Sequence, residues 1–162
     1  MRRGELDAIV HLDPVIQQLE ATGDIVVIVD TRTEAGAHAV YGGPYHAACL
    51  YAKTNFIADH PGTTQALVNA LVRALYWLAR ASPDEIVAAV PSDYWGSDRA
   101  GYQAALVKNL PALSPTGDLA GSGAENVLRV LREFEPFVRD AEIDLAHTFN
   151  TTFVTHAATH PK

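Results

Sequence analysis

His11, Asp13 and Pro14 fall where an apolar run gives way to a helix start. Unpaired N–H groups and the helix dipole at such a point favour a small anion. Open α/β sheets place their ligands beyond strand ends of this kind. The plainer account is that Asp13 caps its own helix and His11 ends a strand. Arg32 is the only Lys or Arg between Arg3 and Lys53. It is therefore either the natural clamp for a carboxylate or sulfonate, or a solvated surface residue. Tyr41, Gly42, Gly43 and Tyr45 combine glycines, which let backbone approach a ligand, with two aromatic walls. The competing account is a tight turn with tyrosines packed beneath it.

Other reactive side chains offer less. His156 and His160 have the i,i+4 spacing of metal ligands on a helix, but no third ligand is near them in sequence, so no metal is expected. Cys49, flanked by Ala47, Ala48 and Leu50, reads as an inert thiol inside a buried strand. Tyr76 and Trp77 read as core or packing residues, and Tyr94-Trp95 as a loop anchor. There is no Gly-x-Ser-x-Gly elbow, P-loop, His-Glu-x-x-His or Gly-x-Gly-x-x-Gly pattern. No catalytic residue and no cofactor is expected, and the chain reads as a non-enzyme.

The elements that must position these residues come in two blocks. Residues 8–10, beside Leu6 and Leu12, read as a short buried strand. Asp13 as N-cap with Pro14 at the first helical position opens a helix that Gly23 closes. The five β-branched residues Ile25 to Val29 read as a strand buried on both faces. Residues 30–44 read as a glycine-broken connector, and 45–52 as a third strand. The rest is helical. A long amphipathic helix follows His60-Pro61-Gly62, with Leu67, Leu71, Leu75 and Leu78 on one stripe. Ser82-Pro83-Asp84-Glu85 and Ser122-Gly123-Ala124-Glu125 read as capping boxes, and a helix is expected over 98–109. Residues 143–154 are ambiguous, and a loose tail is expected from Thr155.

A chain of 162 residues is long enough for one domain, and 48% apolar with 19% charged residues is ordinary for a globular protein. The net charge of −7 argues against nucleic acid as a partner. One cysteine excludes an internal disulfide and a multi-cysteine zinc site. No signal-peptide pattern follows Met1, so the chain as written is expected to stay in the cytoplasm. Three strands followed by helices do not make a complete two-sided sheet. Exposed apolar surface and self-association are therefore expected.

Several of these segments, taken in order, resemble the solute-binding proteins of ABC transporters for nitrate, sulfonates, taurine and thiamine-pyrimidine precursors. Gly4-Glu5-Leu6-Asp7-Ala8 with Asp13-Pro14 looks like the end of that family's second lobe. Asp30-Thr31-Arg32-Thr33 and Tyr41-Gly42-Gly43-Pro44-Tyr45 look like its crossover into the first lobe. Asn55-Phe56-Ile57, His60-Pro61 and Leu113-Ser114-Pro115-Thr116-Gly117 look like its helical C-terminal half.

The resemblance implies an α/β fold, part of a type II periplasmic-binding-protein architecture with three short strands and then a mainly helical half. Residues 1–30 would end the second lobe, 31–44 form the hinge, 45–154 belong to the first lobe, and 155–162 form a tail. It further implies a small anionic or heteroaromatic ligand in an interlobe cleft, a membrane permease as partner, and a periplasmic or cell-surface setting for the intact family. The ligand residues it implies are His11, Asp13, Pro14, Arg32, Tyr41, Gly42, Gly43 and Tyr45. Two alternatives stand beside it. One is a freestanding cytoplasmic interaction or sensory module. The other is a remnant of the related pyrimidine synthases, whose cysteine-rich segment a single cysteine cannot reproduce.

Overall fold

The computed structural model describes residues 1–119 and 122–159, with side chains described through Ala157. Several of its helices start where a nearby side chain accepts from their first N–H groups. In α1 (Val15–Ala21) the start lies one residue later than expected. Pro14 takes the N-cap position, and Asp13 Oδ1 accepts from Gln17 N at 3.0 Å. Helix α2 (Glu34–Tyr41) lies inside the expected connector. The Thr33 hydroxyl accepts from Gly36 N at 3.0 Å, and Gly42, at φ 77°, ends the helix in the left-handed region. Helices α3 (Thr54–Asp59) and α4 (Pro61–Leu78) follow each other across His60.

The Ser82–Glu85 capping box opens α5 (Pro83–Ala89), and Asp98 caps α6 (Arg99–Asn109) through Gly101 N at 2.8 Å. Helix α7 (Gly123–Phe134) forms as expected but without a side-chain cap from Ser122, so that capping box is corrected. Helices α8 (Pro136–Arg139) and α9 (Thr152–Thr159) complete the chain. Helix α9 takes in residues 155–159 of the segment expected to be a loose tail, because it packs along α4, and residues 160–162 of that tail lie outside the described residues. Gln65 Nε2 donates to the Phe153 carbonyl at 2.9 Å across that contact.

The expected α/β fold is contradicted. Among the described residues there is no strand, so no three-stranded sheet of a periplasmic-binding-protein lobe exists in this chain. Residues 8–10, 25–29 and 45–52 contain no regular element, and most of their side chains face outward. The physical reason is that β-branched composition encodes fitness for a pleated, packed surface, not a partner to pair with. Three corrections follow from the same openness. Cys49 is exposed, not buried. Tyr76 and Trp77 are about half exposed, with the Arg80 guanidinium 3.3 Å over the Tyr76 ring. Val10 and Ile28 are fully or almost fully exposed.

Packing is pairwise: α5 on α6, α1 on α6, α4 on α9, α2 on α7 and α7 on α8. The apolar residues buried among the described ones are Ile86, Val87, Ala105, Val138 and Ala157. Val87, at 1% exposure, is the most deeply buried. Replacing it with alanine removes two methyl-sized groups from the α5–α6 contact and leaves a cavity. The expected loss is about 2 kcal/mol, read from the urea midpoint at unchanged m-value.

Candidate functional site

Of the ligand residues implied by the sequence, Asp13 and Arg32 meet at one end of α2, and Tyr41, Gly42, Gly43 and Tyr45 lie at the other. At its start, Arg32 is the hub. Its Nε and Nη2 donate to Asp30 Oδ1 and Oδ2, each at 2.7 Å, and its Nη1 donates to Asp13 Oδ2 at 2.6 Å. Asn109, the last residue of α6, donates to the same Asp13 oxygen at 2.5 Å and to the Ala105 carbonyl at 2.8 Å. The Asp13 side chain is 7% exposed and that of Arg32 15%. One cation thus faces two carboxylates in a partly desolvated setting.

The hydrogen bonds from Arg32 hold the Asp30 carboxyl below the usual carboxylate range. Reciprocally, those to Asp30 and then Asp13 raise the Arg32 guanidinium further above neutrality. Gly36 is required at this end, because a Cβ there would overlap the Asp30 carbonyl.

The Arg32 fork is therefore directed at the protein's own carboxylates. An incoming carboxylate or sulfonate would have to displace one of them. The chemistry this arrangement does best is mechanical: it joins the start of α1, the entry to α2 and the end of α6. The Lys108–Glu20 ion pair, at 2.7 Å, fastens α1 to α6 about two turns further along α1. Gln17 Oε1, one turn into α1, is buried with no hydrogen-bond partner among the described residues. His11 stays apart from the hub; its ring is exposed, and Nδ1 accepts from Leu12 N at 2.9 Å.

The other end of α2, about 12 Å away at 1.5 Å per residue, is the aromatic one. The rings of Tyr41 and Tyr45 stack with centroids 4.0 Å apart and planes at 24°. Between them Gly42 and Gly43 carry positive φ, and Gly43 is buried. Two side chains of α7 brace the turn. Asn126 Nδ2 donates to the Pro44 carbonyl at 2.9 Å, and Arg129 Nη2 donates to that of Tyr41. The structure brings Arg32, which the sequence sets apart as an anion clamp, onto Asp13, and it stacks Tyr41 on Tyr45.

Asn109, Asn126 and Arg129 were missed. They lie on helices distant in sequence, and their local patterns are ordinary helix surface. His156 sits on α9, while His160 lies outside the described residues. No group of three or more metal-ligating side chains is found among the described residues. No described helix is long and apolar enough to cross a membrane.

No family model matches this chain, and no curated protein matches it. A solved structure of a protein from Bordetella bronchiseptica RB50 is similar to it, with 42% sequence identity and a TM-score of 0.90. The match covers 98% of this chain and 50% of the Bordetella chain. The chain thus spans about half the length of the protein it matches, and the likeness carries a shape without an activity.

Proposed function

We propose that this chain supplies one wall of a solute-binding cleft for a small anionic or heteroaromatic nutrient, and acts without catalysis in its import through a membrane permease. The observation that carries this reading is the Tyr41–Tyr45 stack, held beside the backbone of Gly42 and Gly43 and braced by Asn126 and Arg129. A planar heteroaromatic ring can extend such a stack, and Gly42 leaves its main chain exposed beside it. The Arg32 hub contributes by fixing the entry to α2, so that the aromatic end is held still.

The test is a titration followed by amide and tyrosine ring signals, with an aminopyrimidine, taurine and nitrate as probes. The pyrimidine is expected to shift the Tyr41 and Tyr45 rings. Tyr45→Ala should weaken it about tenfold, and Tyr45→Phe should bind like the parent. Equal affinity in Tyr45→Ala, or no shift with any probe, would remove this reading. The exposed apolar surface favours a second one, an interaction module with a protein partner, for which Tyr45→Ala would be neutral.

A further inference from the structure

The accessible surface of this chain is 11683 Å². A compact monomer of 17.4 kDa exposes about 7,800 Å², so roughly 3,800 Å² remains uncovered. A stable interface of ordinary size takes only about 800 Å² per partner. The surplus has the dimensions of a core left open, not of a docking patch. Its location agrees. Val10 is 102% exposed, Val26 88%, Ile28 90% and Tyr51 88%. Leu50, Tyr51 and Ala52 join Phe56 and Leu67 in an apolar groove of about 350 Å³.

Helix α4 adds a second open face. Its Gln65 reaches α9, while Leu67 and Leu71 remain half exposed. A helix apolar on more than one face is one that is covered on more than one face. Among the described residues, no hydrogen bond ties the main chain of 25–29 or 45–52 to another segment. Backbone of this kind is completed by an extended segment laid alongside it.

We infer that these segments and the open face of α4 form one docking surface for a polypeptide module equivalent to the half of the Bordetella chain that this chain does not match. Two observations select that occupant over a second copy. The backbone seen here is similar, at a TM-score of 0.90, to one that forms half of a chain of twice the length. A homodimer would also bring together two chains of net charge −7, while a different module carries no such requirement. The inference is independent of any solute: it holds for a chain that binds none.

The experiment compares the free 162-residue chain with a chimera in which it replaces the matched half of the Bordetella protein. Amide hydrogen exchange and light scattering are read on both. In the chimera, a monomer, the amides of 25–29 and 45–52 should exchange about 100-fold more slowly than in the free chain. Equal exchange in the two proteins, or an insoluble chimera, overturns the inference. So does a free chain that already protects those amides, whether as a monomer or as a homodimer.

Discussion

Arg32→Ala is expected to destabilise the chain by about 3 kcal/mol, a large share of what a domain of this size possesses. The cost comes mainly from Asp13. Its carboxylate is 7% exposed and would keep only Asn109 Nδ2 and the Gln17 amide as donors. Removing one partner of a buried pair leaves an uncompensated charge, which costs more than the pair was worth. Asp30 adds little, because at 35% exposure it can turn to water. Arg32→Lys should recover less than half of the loss, since an ammonium cannot span Asp13 and grip Asp30 with two donors.

The acid limb distinguishes this account from a general loss of packing. Arg32 holds the folded Asp30 carboxyl below its unfolded value near 3.9. The stabilisation it supplies is complete above that value and is lost as pH falls through the lower folded-state value. The Asp30 share of the difference in urea midpoint between parent and Arg32→Ala, its smaller part, should therefore be present at pH 6 and fade towards pH 3. A difference with no narrowing at all would show that Arg32 does not hold the Asp30 carboxyl through charge.

The parts of this fold that could be read from sequence are those decided within four residues. Ser82 and Glu85 make their capping box, Asp98 caps through Gly101, and Pro61 opens α4, because each helix start is settled by its own side chains. Helix α2 was missed for an instructive reason. Gly36, Gly42 and Gly43 look like breakers, yet Gly36 admits the Asp30 carbonyl and Gly42 is the left-handed stop.

Distance in sequence limits the rest. Asp13 and Arg32 are legible as candidates, but Asn109 becomes their partner only once α6 docks on α1. The five β-branched residues from Ile25 to Val29 mark a surface to be covered, and the pattern is silent about what covers it.

That distinction gives the second large effect, in the double substitution Val26→Asp with Ile28→Asp. In the free chain both side chains point into water, at 88% and 90% exposure. Stability there should change by no more than about 0.5 kcal/mol, and solubility should rise. In the chimera the same two positions lie under the docked module, where each carboxylate would be desolvated without a partner, at a cost of several kcal/mol. Protection of 25–29 should vanish, and the chimera should bind a reporter dye for exposed apolar surface. Few substitutions are silent in one context and disabling in the other. A pair that disturbs neither protein would mean that 25–29 faces solvent in both, and a pair that unfolds the free chain would mean that it is already covered there.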